Sequence, residues 1–213
     1  MKLLIFDLDG TLIDSKLDLA YAVNAARAHM RLGDLPHPLV FSYVGDGAPT
    51  LIRRSLGSEA SEAQVQEALE FFLAYYREHM LDHTTLYPGV ADTLDVLLQS
   101  GKRMAVLTNK PVRISKAIIT GLGLEQHFFQ VYGGNSFEQK KPHPIGIETL
   151  LSEAGTVAGN AMMIGDSAVD IQTARNAGIK ACGVTYGFQP ETLAVTPPDF
   201  LIDRFEDLPG IAG

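Results

Sequence analysis

The sequence predicts an α/β fold: a Rossmann-like parallel sheet with helices on both faces, plus a small α-helical cap domain inserted after the first strand. Two observations predict it. Short apolar runs alternate along the chain with longer amphipathic segments, and this order builds a parallel sheet with right-handed crossovers. Between residues 16 and 83 the alternation stops and only helical patterns remain. We therefore expect a core made of residues 1–15 and 84–213, and a cap made of residues 16–83.

Four apolar runs predict the strands. Each run is too short for a helix and lacks the alternation of a strand with one wet face, so each indicates a strand covered on both faces. In chain order they are LLIF at Leu3–Phe6, MAVL at Met104–Leu107, AMMI at Ala161–Ile164 and ACGV at Ala181–Val184.

Amphipathic segments predict the helices between these strands. Glycine commonly stands just past the last helical turn, and two of the segments end in this way. The predicted helices are Val90–Ser100 before Gly101, Val112–Thr120, Ile145–Ala154, and Ala168–Ala177 before Gly178.

The predicted cap contains two long helices. Apolar residues spaced for one helical face define each of them: Leu19, Val23, Ala26 and Met30 in the first, and Val65, Leu69, Phe72, Tyr76 and Met80 in the second. Ser61 and Gln64 have the spacing of a capping box at the start of the second helix. A glycine-containing loop and a short helix are expected between the two.

Composition and charge exclude several classes of protein. The net charge of −8 opposes binding to nucleic acid and to anionic membranes, so a phosphate site has to depend on local cations. The single cysteine, Cys182, excludes an intrachain disulfide. No apolar run approaches the roughly 18 residues of a membrane span. We expect a cytoplasmic protein that acts without nucleic acid or membrane.

The first strand runs directly into carboxylates, which are costly to bury without a cation. Ligands of an open parallel sheet bind at the carboxyl ends of its strands, where this chain places many polar groups. They are Asp7, Asp9 and Thr11 after the first strand, Thr108 and Asn109 after the second, Asp166 and Asp170 after the third, and Lys140 and Lys141 in a loop with proline.

Three acids at one rim suit a hard divalent cation, and oxygen ligands of this kind favour Mg²⁺. The cation and a lysine together suit a phosphoryl group, whose negative oxygens both can bind. Aspartate is a competent nucleophile toward phosphorus. A second aspartate close by can protonate the departing alkoxide and then activate water. The residues alone therefore favour phosphoryl transfer.

The segments DLDGTLID, LTNK, KKPHP and GDSAVD, in this order, resemble the four motifs of the haloacid dehalogenase superfamily of phosphohydrolases. The insert lies where that superfamily has its helical C1 cap. The resemblance implies that Asp7 is the nucleophile, that Asp9 is the general acid and base, and that Lys141 balances the charge between Asp7 and phosphate.

The same resemblance implies roles for the remaining rim residues. Thr108 would bind phosphoryl oxygens with help from Asn109. Asp166 would ligate Mg²⁺ together with the Asp7 carboxylate and the Asp9 backbone carbonyl. The outer layer around these ligands would consist of Thr11, Ser167 and Asp170, with Asp170 orienting the lysine or a metal-bound water.

Within the superfamily the chain is most similar to phosphoglycolate phosphatases, on the segment YVGDGAPTLIRRSL from Tyr43 to Leu56. This implies hydrolysis of 2-phosphoglycolate, a small phosphorylated metabolite, and Arg53 or Arg54 could pair with a substrate carboxylate. The sequence leaves open whether the protein is a monomer or a homodimer.

Alternative functions remain at this point. Other phosphatases of the superfamily act on sugar phosphates, nucleotides or pyrophosphate, and a β-phosphoglucomutase-like mutase would keep the phosphoryl group. A dehalogenase works without metal, and Asp9 and Asp166 oppose it because their charge would be uncompensated. A phospho-accepting signalling domain has similar rim residues; Asp9-Gly10-Thr11 and the long insert favour an enzyme instead.

Overall fold

The structure is a computed structural model that describes all residues, 1–213. The chain forms two compact units, one made of Met1–Asp14 with Leu86–Gly213 and the other of Ser15–Thr85. The predicted cap, residues 16–83, lies within the second unit. None of the helices combines the length and the apolar character needed to cross a lipid bilayer.

The first unit contains a six-stranded parallel sheet. The whole chain has eight strands, six of which form this sheet: β1 (Leu3–Phe6), β2 (Ile13–Asp14), β3 (Thr85–Leu86), β4 (Arg103–Leu107), β5 (Gln130–Tyr132), β6 (Ala161–Gly165), β7 (Lys180–Val184) and β8 (Phe200–Ile202). The large sheet has the order β5-β4-β1-β6-β7-β8, and β2 pairs separately with β3. All pairs of the large sheet are parallel, which confirms the predicted fold class.

The two edge strands of the large sheet were not predicted. Strand β5 has the sequence QVY and β8 has FLI, and each spans only three residues. Three residues are too few to form the apolar run by which the inner strands were predicted. The four predicted strands correspond to β1, β4, β6 and β7.

Strand β1 lies at the point where the chain changes direction across the sheet. After β1 the chain builds β4 and β5 on one side, then returns to place β6, β7 and β8 on the other. Phe6 pairs with Val106 on one neighbour and with Ile164 on the other. Open parallel sheets bind ligands in the crevice at such a point, beyond the carboxyl ends of the strands. The residues that follow β1 therefore enter that crevice.

Helices cover both faces of the sheet and build the second unit. They are α1 (Lys16–His29), α2 (His37–Phe41), α3 (Ala48–Leu56), α4 (Glu62–His79), α5 (Val90–Gln99), α6 (Val112–Gly121), α7 (Ile145–Glu153), α8 (Ala168–Asn176) and α9 (Leu208–Ile211). On one face, Leu3 and Ile5 belong to a buried cluster with Ile147 of α7 and Ile171 of α8. On the other, the ring of Phe6 packs against two further phenylalanines, Phe128 and Phe205.

The second unit is a small helical assembly in which α1 and α3 both pack against α4. The predicted capping box is present: the Ser61 side chain accepts from the Gln64 backbone N–H, and the Gln64 side chain accepts from the Ser61 N–H. Phe72 and Tyr76 are buried and stacked, as their spacing predicts. Helix α2 was not predicted, because its five residues are too few to show a periodic pattern.

Candidate active site

Asp7 is the first residue beyond β1, and its backbone still belongs to the sheet. Its N–H donates to the carbonyl of Ile164 on β6 at 2.9 Å. Its carboxylate oxygen Oδ1 lies 2.9 Å from Lys141 Nζ, and the Asp7 side chain is 13% exposed. The nucleophile predicted from the sequence therefore stands on a rigid strand end, next to a cation, and still reaches the surface of the crevice.

Lys141 is fixed by contacts on several sides. Its Nζ donates to Asp170 Oδ1 at 2.6 Å, in addition to the contact with Asp7, and its side chain is 2% exposed. Asn109 Nδ2 donates to the Lys141 carbonyl at 3.2 Å. In contrast, Lys140 is exposed, as expected for the loop. The structure thus brings Lys141, and not its neighbour, to the predicted nucleophile.

Asp170 is buried at the third position of α8, where its carboxylate both caps the helix and contacts Lys141. Ser167 precedes this helix, and its Oγ donates to Asp170 Oδ2 at 2.7 Å while its N–H donates to the same oxygen at 3.2 Å. Asp170 Oδ1 is left to accept from Lys141. A capping box at this helix end therefore orients the carboxylate that orients the lysine.

Asp166 follows β6, which neighbours β1, and faces Asp7 across the crevice. Carboxylate oxygens of Asp7, Asp166 and Asp170 lie within 4.8 Å of one another. The N–H groups of Phe188 and Gln189 donate to Asp166 Oδ2 at 2.6 and 3.2 Å. Three carboxylates and the few groups that donate to them are thus concentrated at this end of the sheet.

The pKa values of this cluster show how poorly the negative charge is compensated. The pKa of Asp166 is raised to about 8, first by burial and then by the neighbouring Asp170 and Asp7 carboxylates. Burial also raises the pKa of Asp7 to about 6, although Lys141 opposes this effect. Burial disfavours the Lys141 ammonium, yet the Asp170 and Asp7 carboxylates outweigh it and raise the lysine pKa above its ordinary value.

Asp9 has a partner that the sequence reasoning missed. Lys110 Nζ lies 2.8 Å from Asp9 Oδ1 and 3.0 Å from Asp9 Oδ2, and the Lys110 side chain is only 5% exposed. Lys110 directly follows Thr108 and Asn109, and this position in the sequence was the one indication that it lies near the site. Thr108 is buried as well, and its Oγ1 accepts from the Lys110 N–H at 3.3 Å.

The remaining predicted residues lie at different places. Thr11 is buried in the first unit, where its carbonyl accepts from the Tyr186 hydroxyl and its own Oγ1 has no hydrogen-bond partner. Arg53 and Arg54 lie in the second unit and form ion pairs there with Glu62 and Asp46. The role predicted for these arginines stays a prediction.

The charges of the first unit's site fit a divalent cation. Four carboxylates, those of Asp7, Asp9, Asp166 and Asp170, meet only two lysine ammonium groups, which leaves an excess of two negative charges. The available ligands are all oxygens, the type that Mg²⁺ prefers. A Cβ at Gly10 would collide with the Asp166 carboxylate, so the backbone closes around this oxygen cluster. The donor set is therefore suited to a hard cation and a phosphoryl group.

Comparison with known proteins adds independent support. The model of one family, described as haloacid dehalogenase-like hydrolase, matches residues 4–184. This range includes every carboxylate and both lysines of the site.

Curated relatives match over nearly their full length. A phosphoglycolate phosphatase of Haemophilus influenzae (strain 86-028NP) is 37% identical over 215 residues, which cover 97% of this chain and 96% of the relative. One of Pectobacterium atrosepticum is 38% identical, with coverage of 99% and 92%. A crystal structure described as a predicted phosphoglycolate phosphatase from Haemophilus somnus 129pt superposes with a TM-score of 0.95 at 34% identity, covering 100% of this chain and 98% of that one.

Proposed function

The chain belongs to the haloacid dehalogenase-like hydrolase family, and from this premise we propose that it is a Mg²⁺-dependent phosphatase that hydrolyses 2-phosphoglycolate to glycolate and phosphate. One observation carries the proposal. Asp7, Lys141 and Asp166 come from distant parts of the sequence and lie together beyond the end of β1, where the chain changes direction across the sheet. A nucleophile, a cation and a carboxylate cluster are the groups that phosphoryl transfer through an aspartyl ester requires.

Asp7 is the nucleophile of this reaction. Its free carboxylate oxygen attacks phosphorus, the bond between phosphorus and the ester oxygen breaks, and the phosphoryl group becomes esterified to Asp7. Lys141 contacts the nucleophile and stabilises the negative oxygens of the phosphoryl group as charge moves. Thr108 and Asn109, both buried, are the proposed donors to these oxygens.

Asp9 moves the protons. It gives a proton to the departing alkoxide in the first step, and in the second it takes a proton from the water that attacks the aspartyl ester. The water oxygen bonds to phosphorus, the bond to Asp7 breaks, and inorganic phosphate leaves. Asp7 then ends as a carboxylate and Asp9 as a carboxylic acid, the states from which the reaction began.

The residues that would hold Mg²⁺ are Asp7, Asp166 and the backbone carbonyl of Asp9. The excess of two carboxylates over lysines at the site supports this assignment. When bound, the cation would draw negative charge from the phosphoryl oxygens and bring the anionic substrate close to anionic Asp7. Asp170, held by Ser167, positions Lys141 beside these ligands.

The choice of 2-phosphoglycolate depends on the relatives, whose printed names carry that activity. A substrate with a carboxylate needs a cation beyond those that bind the phosphoryl group, and Arg53 or Arg54 of the second unit is one proposed source. We propose that the enzyme acts on this small metabolite in the cytoplasm. It would do so as a monomer or homodimer.

A comparison of phosphate esters tests this function. We expect kcat/KM in the presence of Mg²⁺ to be highest for 2-phosphoglycolate among a panel with glucose 6-phosphate, a nucleoside monophosphate and pyrophosphate. A sugar phosphate, a nucleotide or pyrophosphate at the head of the panel would contradict the proposed substrate. Release of a single equivalent of product from p-nitrophenyl phosphate would contradict an enzyme and favour a phospho-accepting switch.

A further inference from the structure

Lys110 is one of only two buried lysines in the chain, and no arginine is buried. The other, Lys141, is occupied by Asp7 and Asp170, which are themselves largely buried. The Lys110 ammonium instead contacts both oxygens of Asp9. The site therefore has one lysine paired with the proposed nucleophile, Asp7, and a second lysine paired with the proposed acid and base, Asp9.

This second ion pair competes with the action of Asp9. To reach the ester oxygen of a substrate, an Asp9 oxygen has to come within about 2.6–3.2 Å of it. Both Asp9 oxygens are within hydrogen-bond distance of Lys110, at 2.8 and 3.0 Å. The ammonium and an arriving ester oxygen therefore compete for the same two Asp9 oxygens. A lysine side chain, with its flexible stem and rotatable donors, is able to move away from them.

The proposed substrate supplies a second anion at the same place. In 2-phosphoglycolate only one methylene group separates the carboxylate from the ester oxygen that Asp9 has to reach. The substrate carboxylate consequently enters the space around Asp9, where a carboxylate without a cation is costly. Lys110 is the buried cation at this position.

We propose that Lys110 exchanges the Asp9 carboxylate for the carboxylate of the substrate, and that this exchange determines the enzyme's preference for carboxylated phosphate esters. The inference rests on the function proposed above and deepens it. A neutral ester offers no anion for Lys110, so the lysine stays on Asp9 and hinders its approach to the ester oxygen. A carboxylated ester draws the lysine away and is itself bound by it.

The test compares 2-phosphoglycolate with 2-hydroxyethyl phosphate, in which a neutral hydroxymethyl group replaces the carboxylate. In Lys110→Met we expect kcat/KM for 2-phosphoglycolate to fall about 100-fold, as for a charged partner removed from a buried pair. For 2-hydroxyethyl phosphate we expect no loss of kcat/KM but a modest rise, because the lysine no longer holds Asp9. Lys110→Arg should recover part of the preference. Lys116→Met changes an exposed lysine on α6, the helix that follows Lys110, and as the control it should behave as wild type.

A binding measurement separates recognition from turnover. In an Asp7→Asn background, which cannot form the aspartyl ester, calorimetry should show about 100-fold weaker binding of 2-phosphoglycolate when Lys110→Met is added. Binding of inorganic phosphate should be unchanged. Equal losses for both ligands would overturn the inference, because they indicate that Lys110 only maintains the site.

The remaining outcomes distinguish this inference from the proposed function. If wild type prefers 2-phosphoglycolate and Lys110→Met keeps that preference, the exchange is wrong while the proposed function stands. If Arg53→Ala or Arg54→Ala abolishes the preference and Lys110→Met does not, the cap supplies the cation instead. If wild type shows no preference for the carboxylated ester, the proposed function fails, and the exchange fails with it.

Discussion

Lys141 and Asp170 form the tightest ion pair of the site: Nζ donates to Oδ1 at 2.6 Å, and their side chains are 2% and 0% exposed. The pair joins the loop before α7 to the first turn of α8. Because Ser167 occupies the other Asp170 oxygen, the carboxylate has little freedom to turn away. The position of the lysine beside the nucleophile is thus set by the start of a helix.

Asp170→Asn should lower kcat about 10–100-fold with little change in KM, the range typical of groups that orient catalytic residues. The amide keeps the shape of the side chain but removes the charge opposite Lys141, which loses its fixed direction. Steady-state kinetics with 2-phosphoglycolate would measure the effect. Gln172→Ala, an exposed change on the same helix, should leave kcat unchanged. An unaltered kcat in Asp170→Asn would mean that Asp7 alone positions the lysine.

Asp7→Asn should abolish phosphatase activity, by at least about a thousandfold, because an amide cannot attack phosphorus to form the aspartyl ester. Burial raises the Asp7 pKa, so removing this carboxylate should not destabilise the fold. Phosphate release and urea unfolding, measured on the same preparation, would check both expectations. Hydrolysis at the wild-type rate in this variant would refute the nucleophile assignment.

Without divalent cations, the free energy of unfolding should decrease as the pH rises from about 4 to about 8. The ordinary pKa of an aspartate is 3.8, and burial raises it to about 6 in Asp7 and about 8 in Asp166. Between these values the folded protein binds more protons than the unfolded chain, so stability present below pH 3.8 is lost as the pH rises. The loss should amount to a few kcal/mol, since one pKa unit corresponds to about 1.4 kcal/mol.

Urea unfolding in EDTA across this pH range measures the slope, and Asp166→Asn provides the reference. In the variant, the unfolding free energy should depend much less on pH, because the carboxyl group with the most strongly raised pKa has been removed. Addition of Mg²⁺ to wild type should stabilise the protein more at pH 8 than at pH 5, since protons compete for the same oxygens. An equal pH dependence in wild type and variant would contradict the raised pKa of the buried Asp166 carboxyl.

Asp18 should be a major stabilising residue of the second unit. It is buried, and its carboxylate accepts from the N–H groups of His83 and Thr84 and from the Thr84 hydroxyl, at 2.7–3.0 Å. Asp18→Ala leaves these donors without a partner, which should cost about 3–5 kcal/mol of unfolding free energy. Asp34→Ala, at an exposed position of the same unit, should cost less than about 0.5 kcal/mol. A similar cost in both variants, by urea unfolding, would show that water replaces the carboxylate.

Residues that the backbone alone brings to the site were predicted well from the sequence. Contacts that depend on the direction of a long side chain were predicted less well. Asp7 and Asp166 follow apolar runs whose strand character was clear, so the topology alone brings them to one edge. The Lys110–Asp9 pair could not be predicted, because a long side chain can turn in many directions from one backbone position. Strands β5 and β8 escaped prediction because three residues carry too little periodic signal.

Gly10→Ala should weaken Mg²⁺ binding by at least about tenfold, through Asp166. Gly10 has a φ of +80°, and a Cβ there would collide with the Asp166 carboxylate. Gly123 offers a matched control, because its φ is +72° and a Cβ there meets nothing within 4 Å. Both substitutions should lower stability by about 1–2 kcal/mol, since alanine disfavours left-handed backbone.

Calorimetric titration with Mg²⁺ separates the two effects. Gly123→Ala should bind the cation as wild type does, because only its backbone is strained. Gly10→Ala should bind it weakly, since the added methyl group displaces a carboxylate that we assign as a ligand. Equal affinity in the two variants would mean that Asp166 is not a ligand or that its carboxylate moves aside without cost, and the cation would then depend on Asp7 and the remaining oxygens.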